Sequence, residues 1–311
     1  MKDRLLAMRL FARLGPRGSI TAAGRELGLS QSQASRMLAA LETQVGTTLF
    51  RRTTRALTLT EAGKTYLERV LEILAAIDLA DQDLRPDGEL RGTLRVGLCT
   101  GFLARAVIPR LPKFTVAHPH LAMEFLADDQ IQDLVVEGLD LALRWAPGPG
   151  LPPPAQLIYQ TRRILVASPD YLLRSAPLET PSDLATQTVI LSSACRAPIL
   201  NFRRDGVHKT VKVPQNLYIN LGETALTAAV LGLGIVCAPE SSVRREMASG
   251  ELVHVLEDWD LGAYTLYAVH ATGKSSKASA VAFTKFLVDE LAGTPGRAAV
   301  EARQRRVARE A

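Results

Sequence analysis

One stretch constrains this chain more than any other: residues 18–63, GSITAAGRELGLSQSQASRMLAALETQVGTTLFRRTTRALTLTEAG. Its apolar spacing predicts two helices around a tight turn and then a β-prone hairpin, the layout of a winged helix-turn-helix. Just upstream, Leu6, Leu10 and Leu14 recur every fourth residue with Phe11 beside them, which predicts a helix over residues 3–14. Pro16 and Gly18 are expected to break it. Ser19 then caps a helix whose inner face is Ala22, Ala23 and Leu27, and Gly28 supplies the turn. Ser30 caps the next helix, with Ala34, Met37, Leu38, Leu41 and Val45 turned inward.

The opposite face of that helix opens with Gln31, Ser32, Gln33, Ser35 and Arg36, short polar groups that can reach base edges or phosphates. Gln31, Gln33 and Arg36 are the candidates for base reading. Ser19, Thr21, Ser30, Ser35 and, on the hairpin, Arg51, Arg52, Thr53 and Arg55 suit phosphate contacts. Charge agrees with this. Residues 1–66 carry eleven Lys or Arg against four Asp or Glu, while the whole chain nets only +5. The positive charge is concentrated where duplex DNA would lie.

Residues 60–84 read as one long helix, about 37 Å end to end. Tyr66, Val70, Ile73, Ile77 and Leu84 form one apolar strip, and Leu67, Leu71 and Leu74 a second. Two apolar sides need two partners: the DNA-binding core and the same helix of another subunit. Arg85-Pro86-Asp87-Gly88 ends this helix. Beyond it, short apolar runs (TLRVGL, LAMEFL, DLALRW, RILVAS, VILSS, LYINL, GIVCAP, YTLYAV) alternate with helical patterns at 102–116, 129–138, 223–232, 239–248 and 276–292. That alternation predicts an α/β region with largely parallel sheets in two lobes.

In such sheets ligands bind at the carboxyl ends of strands, beside helix N-termini. Three loops qualify: Cys99, Thr100, Gly101 and Phe102; Arg144 and Trp145; and Ser192, Ser193 and Arg196, with Cys195 among them. Together they suggest a small organic anion with a planar part. Cys99 and Cys195 also raise a thiol-based redox or electrophile sensor as an alternative, while Cys237, in an apolar strand, is expected in the core. His118-Pro119-His120 lacks a third metal ligand. Glu42, Asp128 and Asp129 have no identifiable partner in the sequence. Neither a glycine-rich phosphate loop, a nucleophile elbow nor paired carboxylates support an enzyme, and no cofactor or metal is expected. Three cysteines without close spacing, no apolar run near 20 residues and an N-terminus unlike a signal peptide lead us to expect a cytoplasmic protein.

Residues 18–63 resemble the DNA-binding region of LysR-type transcriptional regulators through Ser19, Ala22, Ala23, Leu27, Ser30, Gln31, Ser35, Leu41-Glu42, Gly46, Leu49-Phe50, Arg52, Thr53 and Leu59-Thr60-Glu61-Ala62-Gly63. Gly24 and Ile20 depart from the family's usual alanine and phenylalanine. A glycine there costs about 1 kcal/mol of helix stability, so a slightly looser second helix is expected. VVEGLDLALR, VASPDYL, AAVLGLGIVCAP and GELVHVLEDW extend the resemblance to residue 292, with 146–160 and 192–215 departing most. It implies a winged helix-turn-helix (1–59), a dimerising linker helix (60–88) and a two-lobed, periplasmic-binding-protein-like α/β effector domain (89–292), followed by a basic tail (293–311). It implies, as partners, double-stranded promoter DNA, a small-molecule effector in the inter-lobe cleft, further copies of the chain as a dimer or dimer of dimers, and RNA polymerase. The competing readings are an architectural DNA-binding protein without an effector and the solute-binding protein of a transporter, the latter opposed by the basic N-terminal module.

Overall fold

The computed structural model describes residues 3–17, 19–52, 57–83, 89–147, 155–193, 195, 197–271 and 276–292. The expectations placed on Gly18, Thr53, Arg55, residues 84–88, Arg196 and the tail from 293 lie outside the described residues.

The N-terminal module is α1 (Arg4–Arg17), α2 (Ile20–Glu26) and α3 (Gln31–Val45), a two-stranded wing of β1 (Phe50–Arg52) and β2 (Leu57–Leu59), and then α4 (Glu61–Asp83). Leu10, Phe11 and Leu14 of α1, Leu38 and Leu41 of α3, and Leu67 and Val70 of α4 are buried together. Burial of each such side chain contributes about 1.5–3 kcal/mol. Contrary to expectation, α1 continues through Pro16 to Arg17. A proline in the last turn removes one helical N–H near the end rather than disrupting the middle. Gly24 is not a loose point either: a Cβ there would lie 3.1 Å from the Cβ of Ala34, so glycine lets α2 close onto α3.

The second region begins with β3 (Gly92–Leu98), α5 (Thr100–Phe102) running into a π turn (Leu103–Val107), α6 (Leu111–Ala117), β4 (Leu121–Ala127) and β5 (Leu141–Pro147). The single helix expected at 102–116 is therefore broken. Pro109 falls in the break, where it can offer no N–H. No helix forms at 129–138 either. Asp133 Oδ1 accepts from the backbone N–H groups of Val135 and Val136, and Gly138 takes a φ of +61°. These local side-chain bonds compete with helix.

The chain then crosses to a second lobe on β6 (Gln156–Ala167) and builds α7 (Pro169–Arg174), β7 (Val189–Ser192), a hairpin of β8 (Ile199–Arg204) and β9 (Val207–Lys212), β10 (Leu217–Ile219), α8 (Gly222–Val230), β11 (Ile235–Pro239), α9 (Arg244–Ser249) and β12 (Val253–Val255). It returns on β13 (Ala263–His270) and ends in α10 (Ala278–Ala292). Strand order is β10-β7-β11-β6-β13-β5-β3-β4, with β12 also on β6. Pairing is parallel at β4-β3-β5 and β10-β7-β11 and antiparallel wherever β6 or β13 takes part. The sheets are thus mixed rather than largely parallel, because the chain passes between lobes on strands that run against their neighbours.

β6 is the hinge. Gln156–Arg162 pairs with β13 in the first lobe, and Arg163–Val166 pairs with β11 in the second. The first lobe's core gathers Leu94, Val96 and Leu98 against Phe114, Phe283 and Leu287. In the second lobe, α8 covers one side of the sheet with Ala225, Leu226 and Ala229, while Phe202, Val211 and Trp259 belong to the core on the other side.

Candidate functional site

The first site is the outer face of the N-terminal module. Ser30 Oγ accepts from Gln33 N at 3.3 Å, and Gln33 Oε1 accepts from Ser30 N at 2.9 Å, a reciprocal cap at the start of α3. Gln33 is therefore partly committed to the helix, which weakens its expected base-reading role. Gln31, Ser32 and Arg36 are exposed and Ser35 half-buried on the same end. Ser19 caps α2 by accepting from Ala22 N at 3.3 Å, and Thr21 is exposed beside it. Arg51 is exposed on β1, and Arg52 follows it in that strand.

Glu42, which had no partner in the sequence, fixes the wing to α3: Oε1 accepts from Leu49 N at 2.8 Å and Phe50 N at 3.1 Å. Thr60 Oγ1 accepts from Gly63 N at 2.9 Å and donates to Thr48 O at 2.9 Å, joining wing to α4. A Cβ on Gly63 would lie 2.1 Å from Leu49 O, so only glycine permits this approach. These contacts tie α3, the wing and α4 to one another.

The second site is a cavity of about 460 Å³ between the lobes. Of the expected ligand residues, Cys99, Gly101, Phe102, Arg144, Trp145, Ser192 and Ser193 line it together. Thr100 does not serve as expected. Its backbone N and its Oγ1 each donate to Asp129 Oδ1 at 2.8 Å, while Gly222 N at 2.7 Å and Ser193 Oγ at 3.3 Å donate to Asp129 Oδ2. The donors expected to greet an incoming anion already hold the protein's own carboxylate, and they come from both lobes. Arg144 is also engaged: its NH2 donates to the carbonyl of Gln132. Trp145 packs against Phe102 at 5.7 Å and Tyr264 at 5.5 Å between ring centroids, which gives the cavity an aromatic wall.

Two cations at the cleft, Arg163 and Arg105, were not singled out in the sequence. Arg163, at the hinge, lines the cavity; its guanidinium NH2 lies 3.4 Å from Cys195 Sγ and 3.6 Å from Cys237 Sγ. Its Nε is buried without a hydrogen-bond partner, and no carboxylate among the described residues bonds it. Arg105 of the π turn spans the cleft, bonding Glu223 at 2.6 and 2.8 Å and Glu246 at 2.9 and 3.0 Å. The hydrogen bond to Glu223 holds the Arg105 guanidinium above its ordinary pKa. Gly101 makes room for that pair, since a Cβ there would sit 2.6 Å from Glu223 Oε1.

The thiols separate into two classes. Burial pushes Cys99 up to about 11, against the usual reactive range. Cys237 is pulled down by a hydrogen bond from Cys195 and by the Arg163 cation, and Cys195 is pushed up by that same bond. Cys237 is buried as expected, yet it also faces the cavity. Elsewhere, His118 packs on Phe114 and His120 pairs with Glu89 at 3.3 Å.

Two family models match the chain. A bacterial regulatory helix-turn-helix protein model of the lysR family covers residues 5–64, and a LysR substrate binding domain model covers 87–292. The HTH-type transcriptional regulator PtxR of Pseudomonas aeruginosa is 32% identical over 293 residues, spanning 93% of each chain. The glycine cleavage system transcriptional activator of Escherichia coli is 29% identical over 93% of this chain and 94% of its own. Among solved structures, the LysR-type regulator CrgA of Neisseria meningitidis superposes with a TM-score of 0.57 at 26% identity, covering 92% of this chain and 98% of that one. Full-length AphB of Vibrio cholerae, at 23% identity and a TM-score of 0.59, shares the fold over 92% of this chain and 99% of its own.

Proposed function

The chain belongs to the LysR family of bacterial transcriptional regulators, and on that premise we propose that it reads a two-fold promoter site as a dimer or dimer of dimers, in the cytoplasm, under control of an organic anion bound between its lobes. Gln31 and Arg36 read bases, with Ser32 and Ser35 beside them. Ser19, Thr21, Arg51 and Arg52 hold phosphates, as do Thr53 and Arg55 by their place in the sequence. In the cleft, the anion's carboxylate pairs with Arg163 and its apolar body lies on Phe102, Trp145 and Tyr264.

The observation that carries the cleft reading is Arg163: a largely buried cation in a cavity with an unpartnered Nε and, among the described residues, no carboxylate bonded to it. A buried charge is expensive unless paired, and a bound carboxylate supplies the pair. Asp129 and Glu223 repel a second negative group, so the effector carries its charge at the Arg163 end only. Because Arg163 stands where β6 passes from one lobe to the other, filling its vicinity biases lobe closure and hence the spacing of two recognition helices.

Footprinting of the purified protein on DNA upstream of its own gene, against a scrambled competitor, tests the DNA half. Two protected half-sites about one helical turn apart and persistent at moderate salt are expected. Equal loss from both DNAs as salt rises would replace this reading by non-specific phosphate binding.

A further inference from the structure

We propose that Cys195 and Cys237 form a reactive dithiol at the hinge of the cleft, with Arg163 as the cation that holds a thiolate there, and that a hydroperoxide entering the cavity joins them as a disulfide that resets the hinge. The inference goes beyond effector binding and rests on the regulator reading only for its effect on DNA.

The topology brings the pair together. β7 and β11 are adjacent parallel strands, with Ile190 opposite Val236. Cys237 continues β11, while Cys195 follows β7 and turns back to bridge Ser192. Both sulfurs accept from one guanidinium nitrogen, at 3.4 and 3.6 Å, which sets the two thiols side by side on a single donor. A largely buried guanidinium bonded to no carboxylate among the described residues favours an anion beside it, and the groups that accept from its NH2 are these thiols. Arg163 NH2 donates to both sulfurs, so the pair can give up one proton beside a cation, and the pull of that cation on Cys237 makes it the attacking sulfur. Cys99 lacks such a cation, and its thiol is pushed up by burial.

The chemistry closes without a resident cofactor. The Cys237 thiolate attacks the distal oxygen of the hydroperoxide. The O–O bond breaks, and the leaving alkoxide or hydroxide takes a proton to give an alcohol or water. Cys237 is left as a sulfenic acid. The Cys195 sulfur then attacks the Cys237 sulfur, the S–S bond forms, and hydroxide leaves and picks up the Cys195 proton as water. Each sulfur is oxidised by one electron and the peroxide is reduced by two. Arg163 loses its thiolate counter-ion in the process, at the residue where the strand changes lobes.

Reduced full-length protein exposed to hydrogen peroxide, digested and mapped by mass spectrometry, should yield a Cys195–Cys237 linked peptide pair and an unmodified Cys99. Cys195→Ser should leave Cys237 as a sulfenic acid captured by dimedone. Oxidation confined to Cys99, or no linked pair while the protein stays folded by circular dichroism, overturns the proposal. Arg163→Gln should slow iodoacetamide alkylation of Cys237 at neutral pH by about tenfold or more, and Arg163→Lys should restore much of it. Should Arg163→Gln unfold, the wild-type alkylation profile decides. A midpoint below that of an ordinary thiol, about 8.5, supports the thiolate, and one at or above it refutes it. Oxidised and reduced protein should give different footprints. Identical footprints refute the switch, whereas no specific footprint in either state is a failure of the regulator reading and leaves the mapped disulfide to decide the chemistry.

Discussion

Gln31 and Gln33 stand two positions apart at the start of α3, yet their side chains are placed for different tasks. Gln33 closes the reciprocal cap with Ser30, and Gln31 is exposed with its amide unspent. Replacing Gln31 with alanine should relax sequence preference in a competition binding assay while leaving affinity for random DNA nearly unchanged. Gln33→Ala should instead cost the helix start on the order of 1 kcal/mol, seen as a lower thermal midpoint of the N-terminal module. Arg51→Ala should weaken binding to every duplex and reduce the slope of log affinity against log salt by about one. Equal loss on specific and random DNA in both Gln31→Ala and Arg51→Ala would refute this division. The residue types in the module were legible because capping and turn chemistry act within four positions. The Ser-x-x-Gln spacing of Ser30 and Gln33 is itself that of a capping box, and the bond geometry shows Gln33 partly committed to it.

Among the elements, α4 decides how the module is built. Its Leu67 and Val70 are buried in the N-terminal core, whereas Ile73 is 43% exposed. The two strips expected from the sequence are redistributed: Tyr66 and Val70 join Leu67, Leu71 and Leu74 around that core. Ile73 is left facing outward, as the proposed dimer requires. Ile73→Asp should shift the protein from dimer toward monomer in sedimentation analysis without unfolding it. A sedimentation coefficient unchanged at micromolar concentration would remove α4 from the dimer interface. At the other end of the same helix, Gly63→Ala puts a methyl into Leu49 O, where a 2.1 Å approach forces wing and helix apart. Its expected consequence is a loss of several kcal/mol, of the size seen for overpacked sites, together with loss of DNA binding. Both effects are read from one urea titration and one gel-shift series.

Across the whole molecule, the two lobes are tied by charges from distant parts of the chain. Arg105 meets Glu223 and Glu246, respectively 118 and 141 positions away, and Asp129 gathers donors from Thr100, Ser193 and Gly222. The Glu246 side chain is only 10% exposed, so removing its cation leaves a carboxylate poorly solvated. Breaking a fully buried pair costs about 3–5 kcal/mol. The Arg105 side chain is 26% exposed, which reduces that here, and Arg105→Gln should lose about 2 kcal/mol in chemical denaturation and enlarge the radius of gyration in solution scattering. A variant as compact and as stable as the wild type would mean that the pair does not hold the lobes.

Short-range physics writes the helical periods, the caps at Ser19 and Ser30, the concentration of charge on the N-terminal module, and the alternation of strand and helix beyond it. These follow from side-chain spacing within one or two turns, and they suffice for the fold class. Tertiary structure alone decided the cleft. Asp129 had no partner within reach along the chain, Arg163 was one arginine among many, and Cys237 was an apolar-strand residue until β11 came to lie beside β7. Their roles depend on distances between lobes, and such distances are set by how strands cross and pack rather than by any local pattern. The identity of a charged group's partner is a long-range fact, and a linear sequence carries no metric for it.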